Sequence, residues 1–334
     1  MNSWILPLII IALVIPQIHY AKKTSDYKSI RNGTKFFVKS ENKSYDHRQI
    51  YLTNTDGHDI FIRLYENPNP KGVVQIVHGM AEHSYNYEDF IKYLYNQGFT
   101  VIAHDHRGHG KSISEKYPNG YMRLSEELVD DVFAVNSYIR NLNPDLPIYM
   151  VGHSMGSMIA RMYLQKYDQS IDKLVLTGTV EHNNIAPFGV FLGNIICFYF
   201  GEYQRAILTP LLPGGDQIDW ISYNEDNVMD KRNDKFRVFQ FLERGVVTII
   251  DLNNKMARIK DYECNNPKLP ILSATGDADI VTGSTEGLEN SIASLKNIGY
   301  KNITNIVYEH MRHEVLNEKD NKKVYQNIVE FLDK

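Results

Sequence analysis

Gly152-His153-Ser154-Met155-Gly156 sets a serine in the pattern G-x-S-x-G. Glycines at both flanks let backbones approach closely at a sharp turn, and such a turn lifts the serine hydroxyl clear of the strand that leads into it. The pentapeptide lies between an apolar run, IYMV (148–151), and a helical pattern, MIARMYLQKY (158–167), the context this turn requires. A serine hydroxyl is a weak nucleophile at its free pKa, so it needs a base in hydrogen-bond reach and a third group to orient that base. Downstream, Asp279 follows PILSATG (270–276) and His313 follows ITNIVYE (303–309). Each stands past the carboxyl end of a predicted strand, where ligands bind in open α/β sheets. Asp277 and His310 compete for the same places, since neighbours two or three apart do not both point inward. Asp105 precedes the elbow strand and is read as structural.

Other chemistries suit the residues less well. His104, Asp105, His106 and His109 crowd one segment, but no H-E-x-x-H helix is present and Gly108 and Gly110 suit a turn there. Gly110-Lys111-Ser112 ends like a phosphate loop, yet the first glycine of that motif would fall at Asp105, whose carboxylate repels phosphate. No metal and no organic cofactor is expected.

The elements that must carry these residues alternate. DIFIRLYE (59–66), VVQIV (73–77), TVIAH (100–104), IYMV and KLVLTG (173–178) read as strands, with helices through YEDFIKYLYNQG (87–98), after Ser125 and from Met155. Strict alternation implies right-handed crossovers and a mostly parallel sheet covered on both faces, an α/β fold. From about 181 to 261 the rhythm breaks into aromatic-rich helical spacing, which predicts an inserted cap, and afterwards it resumes with a closing amphipathic helix from Glu318 to Leu332.

The segments HGMAEH (78–83), AHDHRGHGKS (103–112), GHSMGS (152–157), GDAD (276–279), RHEVLNE (312–318) and, in the cap, DWISYNED (219–226) together resemble the serine hydrolases of the monoacylglycerol lipase and lysophospholipase group. The resemblance runs from about residue 50 to the end and implies the α/β-hydrolase fold with a helical cap. It further implies Ser154 as nucleophile, Asp279 as acid and His313 as base in preference to Asp277 and His310, the backbone amides of Met80 and Met155 as oxyanion hole, and a lipid ester as substrate. Related epoxide hydrolases and dehalogenases use an aspartate nucleophile, where this chain has serine. Ala81, Asn86 and Ser157 depart from the glycine, arginine and glycine common in the group, which bears on head-group contacts more than on the triad. A short-chain or peptide-directed hydrolase on the same triad, or a membrane-tethered binding protein without turnover, are the alternatives.

Composition sets the outer bounds. The 334 residues are 43% hydrophobic and 23% charged, as in a soluble globular protein, and the net charge of −4 gives no field that would steer the molecule to nucleic acid. Cys197 and Cys264 form no CxxC pair. The exception is the amino terminus, where residues 4–18 read WILPLIIIALVIPQI without a charge. As a helix this run covers ~22 Å, short of the ~30 Å hydrocarbon core. Residues 1–21 are expected to be a membrane anchor, or alternatively a cleaved secretory signal, serving location rather than catalysis. A core helix is disfavoured by Pro7 and Pro16. Lys22, Lys23, Lys28, Arg31 and Lys35 follow the run and would hold the next domain on the cytoplasmic side of a spanning segment. Residues 22–47, polar and without sustained period, are expected to be a tether, with the folded domain starting at Arg48.

Overall fold

In the computed structural model, residues 5–30, 35–212 and 218–334 are described. Nine strands form one sheet: β1 Phe37–Lys43, β2 Arg48–Thr53, β3 Asp59–Tyr65, β4 Val73–Val77, β5 Thr100–His104, β6 Ile148–His153, β7 Lys173–Thr177, β8 Ile271–Gly276 and β9 Ile303–Tyr308, in the order β1-β2-β3-β5-β4-β6-β7-β8-β9. β1, β2 and β3 pair antiparallel with one another and β3 pairs antiparallel with β5; from β5 across to β9 every pairing is parallel. The parallel strands β4, β5, β6 and β8 are buried along their whole length, which is why they read as unbroken apolar runs. The fold is that of an α/β hydrolase.

The strand order reverses at β4, so the crevice beyond the carboxyl ends of β4 and β6 is the topological switch point, where ligands bind in such sheets. One face of the sheet is covered by helices α3 (Ser125–Leu142) and α4 (Met155–Tyr167), the other by α2 (Glu88–Asn96) and α9 (Asn321–Asp333), and each face has its own buried cluster. Between β7 and β8 the chain inserts α5 (Ala186–Phe200), α6 (Glu225–Asn233) and α7 (Glu243–Met256). α5 and α7 meet closely because Gly193 has no side chain: a Cβ there would lie 2.3 Å from Val247 Cγ2. α8 (Ser284–Ile298) joins β8 to β9.

Two expectations at the amino terminus are corrected. The expected tether (22–47) is largely regular structure, since helix α1 runs continuously from Ile5 to Ile30 and β1 pairs with β2 ahead of Arg48. Most of the described residues of this stretch are exposed, but specific side chains in and just before it are paired into the domain. Tyr20 is 4% exposed and donates to Glu202, which also accepts from Lys23 and Tyr121, while buried Tyr27 donates to Asp130 on α3. The second correction concerns Pro16, which does not interrupt the helix; Gln17 beside it donates to the Phe191 carbonyl and accepts from Asn194, both on α5. The segment is therefore split in use. Its second half belongs to the fold, while the apolar side chains of its first half, such as Ile9, Ile11 and Leu13, are exposed. Trp4 and Arg31, which figured in the expectations, lie outside the described residues.

Candidate active site

β6 ends at His153 and α4 begins at Met155, leaving Ser154 alone in the turn with φ 52° and ψ −119°. A non-glycine residue in that conformation is strained and persists only where its surroundings over-determine it. The surroundings do so here. Ser154 N–H donates to the Thr177 carbonyl at 2.9 Å, and the Ser154 carbonyl accepts from Ser157 N–H at 2.8 Å and Ser157 Oγ at 2.6 Å. Ser157, a departure from the related pattern, thus ties the turn down with its hydroxyl. Gly156 is required because a Cβ would lie 2.0 Å from the carbonyl oxygen of Val77, at the end of β4.

The loop after β4 runs against this turn. A Cβ on Gly79 would stand 3.2 Å from Ser154 Cβ, and Met80 lines the same cavity as Ser154 and Met155. Met155 is the first residue of α4, and the first N–H groups of a helix lack intrahelical acceptors.

Asp279 and His313 come together from the ends of β8 and β9. His313 Nδ1 lies 3.0 Å from both carboxylate oxygens of Asp279, whose Oδ1 and Oδ2 also accept from Val281 N–H and Thr282 Oγ1, each at 2.9 Å. Burial, the largest single influence, disfavours charge on both side chains, but the partner's opposite charge and the hydrogen bonds to the charged form together outweigh it, so the Asp279 carboxyl is held below its usual range and the His313 imidazole above its own. The ring stands over Gly178, where a Cβ would come within 2.8 Å of His313 Cε1, and the Trp220 ring packs at 5.1 Å between centroids. His313 Nε2 is buried and has no hydrogen-bond partner among the described residues. Such a bond to a nucleophile is often formed only once substrate is bound.

The competing neighbours lie elsewhere. Asp277 and His310 are exposed, and Asp277 accepts from the backbone of Met311. Asp105 is buried but committed, accepting from Ser84 N–H and Lys111 N–H at 2.8 Å each. His104, His106 and His109 are buried and do not group as metal ligands; the backbone N–H of His106 donates to His78 Nε2, and the His106 ring Nε2 lies 3.0 Å from the His78 carbonyl oxygen.

A cavity of about 750 Å³ opens above Ser154. Phe188, Leu192, Leu208, Leu212, Ile249 and Ile250 make most of it apolar, and Glu181, His182, Asn183 and Asn253 make one wall polar. Among the described lining residues there is no lysine or arginine, and Glu181 is the carboxylate.

The expectations did not include Trp220 against His313, nor Lys231, which is buried between Glu82 and Glu314. Glu314 stands beside His313 in the chain, but a lysine in a polar helix carries no mark of burial.

Comparison with known proteins adds a family and a set of relatives. A family model described as serine aminopeptidase, S33, matches residues 68–320. A monoacylglycerol lipase of Mycolicibacterium smegmatis is 27% identical over 269 residues, covering 79% of this chain and 89% of that protein. The human monoglyceride lipase is 35% identical over 111 residues, 33% of this chain and 36% of that protein. Among solved structures, a thermostable carboxyl esterase from Bacillus coagulans superposes with a TM-score of 0.74 at 28% identity, over 89% of this chain and 98% of that one. The monoacylglycerol lipase of Paleococcus ferrophilus shares the fold with a TM-score of 0.65 at 24% identity, over 82% and 98%.

Proposed function

Because the chain belongs to the S33 serine aminopeptidase family of α/β hydrolases, we propose that it hydrolyses carboxylic esters of lipids, monoacylglycerols above all, through an acyl-enzyme on Ser154. The observations that support this reading are a strained Ser154 lining a largely apolar cavity and a buried Asp279–His313 pair whose imidazole packs on His153, the residue before Ser154, with ring centroids 4.8 Å apart. His313 Nε2 takes the Ser154 Oγ proton as Oγ bonds to the ester carbonyl carbon, and the carbonyl oxygen becomes an oxyanion held by the N–H groups of Met80 and Met155. Collapse breaks the bond to the alcohol, which leaves with the proton from His313. A water then repeats the sequence on the acyl-enzyme, releasing the fatty acid and restoring Ser154. Asp279 holds the imidazole with Nδ1 protonated, so that Nε2 is the basic nitrogen.

The cavity lining supports a preference among substrates. An acyl chain suits the Phe188–Leu192 side, and a neutral hydroxylated head group suits the wall of Glu181, His182 and Asn253. A phosphate head group would find no lysine or arginine among the described lining residues, which favours neutral head groups over those of lysophospholipids. A peptide amine could meet only Glu181, leaving the apolar walls without a match.

Membrane association through α1 is part of the reading. α1 is long and apolar enough to cross a membrane by length and composition. While Ala12, Gln17 and Tyr20 stay docked, however, only the exposed run 5–11 stands clear of the cap, ~10 Å of helix against a ~30 Å core. That suits insertion into one leaflet, with the domain held at its surface. Removal of residues 1–21 as a signal would strip away buried Tyr20, which favours retention.

Turnover of a monoacylglycerol dispersion by the full chain, and its loss in Ser154→Ala, tests this function. Turnover that survives the substitution refutes it.

A further inference from the structure

Lys231, on cap helix α6, is 2% exposed, and its ammonium sits between two equally buried carboxylates, Glu82 Oε1 and, at 2.8 Å, Glu314 Oε1. Each carboxylate belongs to a loop that holds a residue of the site. Glu82 follows Met80 by two positions, and its Oε2 accepts from Gly79 N–H at 2.9 Å and from the Tyr87 hydroxyl at 2.6 Å, fixing the backbone just ahead of the Met80 amide. Glu314 directly follows His313, and its Oε2 accepts from the Asn227 and Asn317 side-chain amides at 2.9 Å each. Asn227 and Lys231 stand four apart on α6, on one face, so a single helix of the cap grips both oxygens of Glu314 while reaching Glu82.

Stability is a poor reason for such a trio. Desolvating three charged groups is costly, and well-packed apolar residues in place of a buried ion cluster are often neutral or stabilising. Glu82 and Glu314, with His153, bring ligand-type atoms within 4.8 Å of one another, but the ammonium of Lys231 already provides the cation between the carboxylates. None of Lys231, Glu82 and Glu314 lines the cavity.

We propose that Lys231 is a positioning residue: it clamps the Met80 loop and the His313 loop to one face of cap helix α6, so that seating of the cap sets where the oxyanion donor and the base stand relative to Ser154. The proposal rests on the roles given above to Ser154, His313 and Met80. Misplacing a reacting group by about 1 Å costs on the order of 10²-fold in rate, and because the trio does not meet substrate, the loss falls on kcat and leaves KM in place.

The test is steady-state hydrolysis of p-nitrophenyl butyrate, with kcat normalised to folded protein by circular dichroism and with thermal melting alongside. Lys231→Met is expected to lower kcat about 10²-fold with KM within about twofold. Lys231→Arg, which keeps both ion pairs, is expected to recover at least about tenfold of that loss. Lys231→Met combined with Glu314→Gln leaves one buried carboxylate and so the same net charge as the native trio; it is expected to melt above Lys231→Met, which leaves two unpaired carboxylates, yet to keep the kcat deficit per folded molecule. A double variant with wild-type kcat would show that Lys231 only neutralises charge, and a raised KM at unchanged kcat would show that it meets substrate. Either result overturns the proposal, as does a folded Arg variant no better than the Met variant. Ser154→Ala is run in parallel, and if it retains turnover the assignment of the nucleophile fails whatever Lys231 does.

Discussion

The hydroxyl of Tyr199 on cap helix α5 donates at 2.9 Å to the carbonyl of Ala12 on α1. Pro16 has no N–H and cannot bond the carbonyl four residues before it, so the cap supplies the donor that the proline removes. Together with Gln17 against Phe191 and Asn194, and Tyr20 and Lys23 against Glu202, this makes the second half of α1 an outer layer of the cap. The same helix α5 lines the cavity through Phe188 and Leu192.

Truncation should therefore act in two steps. Deleting through Ile10 removes, among the described residues, only exposed apolar side chains, and is expected to leave the melting temperature and the hydrolysis of a soluble ester unchanged while moving protein from the membrane to the soluble fraction. Deleting through Ala21 also removes Gln17 and Tyr20. Loss of a buried large aromatic costs about 3 kcal/mol or more, which in a chain of this size lowers the melting midpoint by several degrees. Scanning calorimetry of the two truncations decides it, and equal midpoints would contradict the docking.

The pH dependence follows from the Asp279–His313 pair. Only neutral His313 accepts the serine proton, so kcat/KM on a soluble ester is present above the folded-state pKa of His313 and is lost as pH falls through it. Because Asp279 raises that pKa despite burial, the acid limb should lie above the ordinary imidazole value of ~6.5. Asp279→Asn should lower the rate by on the order of 10⁴-fold and move what remains of the limb downward. A limb that stays put in this variant argues that His313 is not the titrating base.

Substitution separates the neighbours. His313→Ala should cost at least ~10²–10⁴-fold, whereas Asp277→Asn and His310→Ala, at exposed positions, should stay within about threefold of the wild type. Rates measured side by side on one ester suffice, and a reversed ranking would move the site to the other pair.

Head-group preference is the fourth expectation. With no lysine or arginine among the described lining residues, kcat/KM for a monoacylglycerol should exceed that for a lysophosphatidic acid of the same chain by tenfold or more. Fatty-acid release from matched dispersions measures it, and equal rates would show that the phosphate finds a partner.

The parts of this arrangement legible from residues alone are those that local chemistry dictates. β4 to β8 announce themselves because strands buried on both faces are apolar almost throughout, and the Ser154 turn because only glycine fits at 156. β1 was hidden: FVKSENK is exposed along its length and is held by backbone pairing to β2 and by charges such as Lys39 with Asp59, so it shows no alternation. The docking of α1 was hidden for a related reason, since Tyr20 and Tyr27 sit in a polar stretch and their burial depends on partners more than 100 positions away. Lys231 is the extreme case, a charged residue on a polar helix whose two partners lie far away on either side of it in the chain, Glu82 149 positions before it and Glu314 well after it.

The most direct test of the central claim is reaction of the full chain with a fluorophosphonate, followed by peptide mass spectrometry. One adduct per chain on the peptide containing Ser154, absent from Ser154→Ala with its fold intact, is the predicted result; stoichiometric labelling at another residue, or undiminished labelling of the alanine variant, would contradict it.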